Sequence, residues 1–470
     1  LAYLLFAFLS GTGGQDPVGC DWLHHSEIAP FSLLRGFFCF GLINISRGNF
    51  RLFRFNKTSS PHRPPHCWSS LFGGWNPNVH PGSLLKSMKI KVKPSDFFVS
   101  ERINIAPEEK GKFALYRLEK TYWNTLDLLF YLQKRYGFKR FQRLGLKDRY
   151  SHSIQYLANP WVIKKPIIEK NFSLHFLGFI NEPLRNEHLL GNFFRITIRD
   201  LKQEEGERIL SHLPTVREYG FPNFYDEQRM GEARHREGFF AKSLIRRDYE
   251  SALKQYLATP SPYDERRVRK FKVFLKENWG RWEEAKALAP KEAKPVLNYL
   301  RAKATDFKGA VKKMPKDLLT LFINSYQAYL WNEILALFLE SLEGVELKPV
   351  AYRFGKLYFY KEIPEGLKDY LLGLYLPAPA PKAKFDKKIE ALVKEVLRKE
   401  GMSIEDLKLK LKMRGVYFKP YLRKVVVRPE DLESKGLEAD EIYPGKMKLE
   451  LSFSLPPGSY ATILIKRLTI

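Results

Sequence analysis

Seven basic residues fall between positions 134 and 149: Lys134, Arg135, Lys139, Arg140, Arg143, Lys147 and Arg149. One acid, Asp148, sits among them, and Tyr136, Phe138, Phe141 and Tyr150 are interleaved. Guanidinium and ammonium groups suit phosphate oxygens, and flat rings can stack on unpaired bases. Gly145 permits a tight turn that would carry Asp148 to the surface of a groove. Cations on both sides favour the ionised carboxylate. A desolvated carboxylate that stays charged in a cationic site can act as a nucleophile. An acid in a basic run can equally be a surface ion-pair partner. Composition alone leaves both readings open.

The charge of the whole chain points the same way. Over 470 residues, 79 Lys and Arg stand against 52 Asp and Glu, a formal net charge of +27. Such an excess calls for a polyanionic partner, most commonly nucleic acid. The cations are spread along the chain rather than gathered on one amphipathic helix, which argues against a membrane-surface protein. With 44% apolar and 14% aromatic residues the chain can build sizeable cores, so general disorder is excluded. No apolar run of about 20 residues occurs, which excludes a polytopic membrane protein. Cys20, Cys39 and Cys67 form neither a metal spacing nor a disulfide framework, so the expected setting is cytoplasmic.

Composition changes at Met88, the first methionine. Residues 1–87 hold five of the ten histidines but only seven Lys and Arg and three Asp and Glu. The run Leu1–Leu9 lacks the basic flank of a signal peptide, and Arg35 interrupts the apolar stretch Ile28–Ile45. The segment reads as upstream sequence joined in frame to a protein that starts at Met88. Its removal is expected to leave fold and activity intact.

The elements that must position Asp148 can be read in outline. Strand-like segments at Lys89–Val99 and Phe113–Glu119 precede a helix capped by Asn124 or Thr125, with Leu126, Leu129 and Phe130 as its apolar positions, Leu132 off phase, and Gly137 as its stop. Phe194, Ile196 and Ile198 alternate with polar residues, which predicts a half-buried strand. From about 231 to 344 the pattern is helical, with one long helix over Lys316–Leu342. A strand-like piece at Val350–Tyr360, a Pro/Ala linker at Pro377–Pro381 and a helix carrying Ile389, Leu392, Val393, Val396 and Leu397 follow. Alternation from Met447 to Leu455, the turn Pro456-Pro457-Gly458-Ser459 and a strand from Tyr460 predict a C-terminal β-hairpin. Strands flanking a helical centre give an α+β fold with an inserted domain. The expected parts are 88–230 as the first portion of the catalytic domain, 231–430 as a mainly helical insertion, and 431–470 as the hairpin that completes the catalytic domain.

Gly145-Leu146-Lys147-Asp148-Arg149, followed by Gln155, resembles the catalytic signature of the tRNA pseudouridine synthase D (TruD) family. Further blocks occur in the family's order: Lys91 to Glu101, Lys120 to Thr125, Gly191-Asn192-Phe193, Pro222 to Gly231, Tyr326 to Asn332, and Leu455 to Thr462. The resemblance runs from about Met88 to Ile470. It implies a pseudouridine synthase-type core of antiparallel or mixed sheet with flanking helices, plus a family-specific insertion. It implies isomerisation of uridine to pseudouridine in tRNA, usually at uridine 13. That reaction exchanges nothing with a second substrate, so no cofactor or metal is expected; tRNA is the expected partner, and with no obligate protein partner evident a monomer is expected.

Asp148 then maps onto the catalytic aspartate, acting either at C1′ or on the C2′ proton. Lys91, Phe97, Asn223 and Tyr460 map onto substrate-site positions, and Asn223 is expected to contact uracil. Lys147 and Arg149 are expected to support the Asp148 charge or hold phosphates. The chain departs from the family at Tyr225-Asp226, where Phe-Gly is usual, and at Tyr460, often Phe. Tyr225 keeps a ring in the pocket, and Asp226 is a candidate acceptor for its hydroxyl. A tRNA-binding protein without chemistry is the rival reading. It gives no role to the lone acid in the basic loop.

Overall fold

The computed structural model describes residues 88–470 apart from 236–237 and 262–263. The segment 1–87, expected to be a dispensable upstream extension, lies outside the described residues. Nine strands among the described residues form one sheet: β1 (Phe97–Ile103), β2 (Phe113–Lys120), β3 (Gln142–Arg143), β4 (His152–Asn159), β5 (Ile167–Glu169), β6 (Phe172–Ile180), β7 (Leu189–Leu201), β8 (Glu430–Ala439) and β9 (Met447–Leu455). Their order is β8-β9-β7-β1-β4-β2-β6-β5, with β3 hydrogen-bonded to β4. Only β1 and β4 run parallel; every other pair in this sheet is antiparallel. The alternation read at residues 194–198 places Phe194 opposite Phe453 and Ile196 opposite Leu451 across the β7–β9 pair. All four side chains are buried on one face, the period-2 pattern that fixes register.

Between β2 and β3 runs α1 (Thr125–Tyr136). The Asn124 side chain accepts from the Asp127 amide at 2.8 Å, and Gly137 closes the helix at φ 74°, where a side chain would be strained. The buried stripe is Leu128, Leu129 and Leu132, so Leu132 is in phase while Leu126 and Phe130 are half-buried. The helical middle leads to α2 (Lys316–Glu340), which is buried along most of its length, with Tyr326 and Trp331 fully enclosed. The strand-like Val350–Tyr360 is a two-stranded ribbon, Leu347–Tyr352 against Gly355–Tyr360. No helix among the described residues is long and apolar enough to cross a membrane.

The chain end differs from expectation. The strand predicted from Tyr460 is a helix, α3 (Ala461–Leu468), and the hairpin partner of β9 is β8 upstream of it. Every residue of α3 is buried, including the polar Thr462, Lys466 and Arg467. Its polar residues are spaced for one turn: Thr462 Oγ1 and Lys466 Nζ donate to the two carboxylate oxygens of Asp226 at 2.8 and 2.9 Å. Asp226 is thus committed to α3, and the Tyr225 hydroxyl bonds instead with that of Tyr421 at 2.7 Å. Burial alone would lower the Lys466 ammonium, but Asp226 and Glu227 outweigh it and hold it above its usual range.

Removing one member of a buried pair leaves the other charge uncompensated, at a cost of about 3–5 kcal/mol. Lys466→Met is therefore expected to lower the unfolding free energy by about that amount. The double variant Asp226→Asn/Lys466→Met should recover part of the loss. Denaturant unfolding of the single and double variants checks this.

Candidate active site

Residues 144–151 connect β3 to β4 and carry Asp148, and side chains from three directions hold their backbone. Thr125, at the start of α1, accepts the Lys147 amide at 2.9 Å and donates to Gln155 Oε1 at 2.6 Å. Gln155 Nε2 donates to the Gly145 carbonyl at 3.0 Å, and Ser151 Oγ to that of Asp148 at 2.9 Å. Lys120, at the end of β2 and 1% exposed, donates to the carbonyls of Trp123, Lys147 and Asp148 at 2.7, 3.3 and 2.9 Å. Gly145 is not at positive φ, so a tight turn is not its reason. A Cβ there would come within 2.9 Å of Glu101 Oε1, so a side chain would require that buried carboxylate to shift.

The Asp148 carboxylate pairs with the Lys91 ammonium through Oδ2. The side chains are 11% and 2% exposed, so the pair is largely out of water. Lys91 Nζ also lies 4.1 Å from the centre of the Phe97 ring. Lys91 sits at φ 66°, an uncommon conformation for a residue with a side chain. Lys147 turns away from Asp148, donating to Asn192 Oδ1 and standing 3.5 Å from Glu101 Oε1. Burial lowers its ammonium, with Glu101 opposing. Arg149 Nε donates to the Tyr122 carbonyl at 3.0 Å, and Arg149 does not line the cleft.

Asp148 opens into a cleft of about 780 Å³ lined on its own side by Phe97, Val99, Lys147 and Phe194. Tyr225, Arg229, Tyr421, Arg423 and the turn 457–460 also line it. The rings of Tyr225 and Tyr460 meet edge to face at 5.9 Å, and the Arg423 guanidinium lies 3.8 Å from the centre of the Tyr225 ring. Burial raises the Tyr460 and Tyr421 hydroxyls above their usual range, so both stay protonated. Asn332 of α2 accepts from the Tyr225 amide at 2.8 Å and donates to its carbonyl at 2.9 Å, which fixes that ring's backbone.

Of the sequence-predicted residues, Asp148, Lys91, Phe97, Lys147, Tyr225 and Tyr460 come together here, Lys91 through its pair with Asp148. Asn223 does not line the cleft. Its Nδ2 donates to the Lys424 carbonyl at 3.0 Å, while its Oδ1 and carbonyl oxygen accept from Arg423 at 2.7–3.0 Å. Arg423, which Asn223 holds, lines the cleft, and its Nη1 also reaches the Gly458 carbonyl at 3.0 Å. Sequence reading missed Arg423 and Tyr421, whose only signal is a cation two residues from a ring ahead of a Val run. It missed Lys120 as a clamp and Arg229 as a lining residue, although both lie in matched blocks. Among the described residues no three His, Cys, Asp or Glu side chains are grouped to hold a metal ion.

The family model described as tRNA pseudouridine synthase D (TruD) matches residues 86–350 and 362–468. "Probable tRNA pseudouridine synthase D 1" of Methanococcus maripaludis is 32% identical over 389 residues, covering 81% of this chain and 99% of its own. The tRNA pseudouridine synthase D of Aquifex aeolicus is 31% identical over 397 residues, covering 81% and 98%. A crystal structure described as that of a TruD protein from Methanosarcina mazei has the same fold, with a TM-score of 0.60 at 24% identity over 83% of this chain and 94% of that one.

Burial pushes the Lys120 ammonium down to about 7, with Asp148 pulling it up and Lys147 opposing. In the unfolded chain a lysine titrates near 10.4, so between these values the unfolded state binds more protons. Stability should therefore rise as pH increases from about 7 toward 10, and this component should vanish in Lys120→Met. Denaturation midpoints of both proteins at pH 7, 8 and 9 measure it.

Proposed function

The chain belongs to the tRNA pseudouridine synthase D family, and on that premise we propose that it isomerises uridine 13 of tRNA to pseudouridine, with Asp148 as the nucleophile. The observation that carries the reading is the Asp148 carboxylate itself. It is paired with the buried Lys91, anchored through its own carbonyl by Lys120 and Ser151 and through the preceding Lys147 amide by Thr125, and open to a cleft with aromatic walls. A protein that only bound RNA would gain nothing from an acid placed there.

In the reaction the N1–C1′ bond breaks, the base rotates, and C5 bonds to C1′. The proton lost from C5 is balanced by one gained at N1. Nothing is exchanged with a second substrate, so the chemistry requires neither metal nor organic cofactor. Asp148 acts on the sugar, by attack at C1′ or by removal of the C2′ proton. Lys91 stabilises its negative charge by direct attraction in a site of low water content. The base must leave its stack, at a cost of a few kcal/mol. Tyr225, Tyr460 and Phe97 offer ring surface for it, and Arg423 and Arg229 offer donors to uracil oxygens or a flanking phosphate.

Incubation with tRNA lacking pseudouridine, followed by mapping of the product, tests this directly. Asp148→Asn is expected to give no product while binding tRNA as tightly as the wild type or slightly more so. Turnover near the wild-type rate would refute the assignment.

The two tyrosines separate ring from hydroxyl. Tyr225→Phe loses one hydrogen bond, to Tyr421, and should cost less than about 1.5 kcal/mol, or roughly tenfold in single-turnover rate. Tyr460→Phe should be similarly mild. Tyr460→Ala removes a ring that is 4% exposed and should lower both the melting temperature and the rate per folded molecule, the latter by about 1–3 kcal/mol. Thermal melts and single-turnover assays on the same variants give both numbers.

A further inference from the structure

The helix Arg266–Glu277, in the helical middle of the chain, carries six cations before its first acid. Its inward face buries Val268, Phe271 and Leu275. Lys272 is buried with them and is neutralised by Asp264 at 3.0 Å. The outward face is handled differently. Arg266, Arg267 and Lys270 are exposed, and among the described residues none of them has an acidic partner. The acids of the adjacent helix Trp282–Leu288 are engaged elsewhere, Glu283 with Arg301 and Glu284 with Arg281. The three cations instead border a depression of about 370 Å³ whose other wall is Ala287 and Leu288.

Like charges one turn apart repel, and cations in the first turn of a helix oppose its dipole. The fold therefore bears an electrostatic cost at this face that it avoids at Lys272. An anion bound there would relieve the cost. The depression is open, and its three cations are carried over one turn of a single helix. That shape suits successive phosphates of a polyanion better than one small anion, and the ledge of Ala287 and Leu288 offers apolar surface to a sugar or base edge. None of these residues lines the Asp148 cleft.

We propose that Arg266, Arg267 and Lys270 form a second RNA-docking face, holding the phosphate backbone of the substrate at a distance from the reacting uridine. This rests on the reading of tRNA as substrate, and it assigns the helical middle a part in recognising the whole molecule rather than the target arm alone.

The test is the triple variant Arg266→Gln/Arg267→Gln/Lys270→Gln, whose changes lie on exposed positions and leave the buried face untouched. Fluorescence anisotropy would measure binding of full-length tRNA, and of a short hairpin containing only the target arm, across a series of salt concentrations. Loss of about three phosphate contacts should make the slope of log K against log[salt] for tRNA shallower by about 2–3 and weaken binding at least roughly tenfold near 0.1 M salt. Binding of the hairpin and turnover at saturating tRNA should stay at wild-type values. Unchanged affinity and slope for tRNA would overturn the proposal, as would equal weakening of tRNA and hairpin. Binding is read independently of product. A wild-type protein that binds tRNA but makes no pseudouridine would refute the proposed reaction and still leave this face tested.

Discussion

The buried ion pair between Lys91 and Asp148 is the contact around which the rest of the structure is arranged. Two charges withdrawn from water seldom add to stability, because their desolvation offsets their attraction. Such a pair makes sense where one member is needed for chemistry. The sheet explains how residues 57 positions apart meet. Lys91 lies shortly before β1 and Asp148 shortly before β4, and these are the one parallel pair in the sheet. Parallel neighbours begin at the same edge, so both leading segments arrive side by side. An antiparallel pairing would have sent them to opposite ends.

The opposite wall is built from distant parts of the chain. Arg423 is held by Asn223, 200 residues earlier, and it packs on the Tyr225 ring and bonds to the turn before α3. Asp226 holds α3 through Lys466, 240 residues later, and Asn332 of α2 fixes the backbone between them. Consecutive residues 223–226 thereby tie the strand carrying Arg423, the long helix and the chain terminus to one point. The two rings of the cleft owe their geometry to that convergence. A substitution at Asp226 or Asn223 therefore alters the supports of the site.

Local signals survived the passage from sequence to structure better than distant ones. Asn124 and Gly137 bound α1 because capping depends on neighbours within a turn. The alternation of Met447 to Leu455 survives as β9 because one face of that strand is core. Helix α3 was missed because its polar residues, Thr462, Lys466 and Arg467, are buried against partners far away in sequence. The surroundings of Asn223 and Gly145 were hidden for a related reason. Each depends on a partner far away in sequence, Arg423 for one and Glu101 for the other. The motif around Asp148 was legible as a motif because one acid among cations and rings stands in contiguous residues. Its clamp by Lys120 was not, since a lysine satisfied by three carbonyls looks in sequence like any surface cation.

Whether the Lys91 ammonium makes Asp148 competent is tested most directly by replacing that ammonium with an apolar chain of similar length. Single-turnover conversion of uridine to pseudouridine by Lys91→Met, at saturating tRNA and normalised to folded protein, is the measurement. A loss of at least about a hundredfold in rate is expected, since without its cationic partner a desolvated carboxylate favours the neutral form, which cannot act on the sugar. Affinity for tRNA should change little by comparison. A rate within a few-fold of the wild type would contradict that role for Lys91.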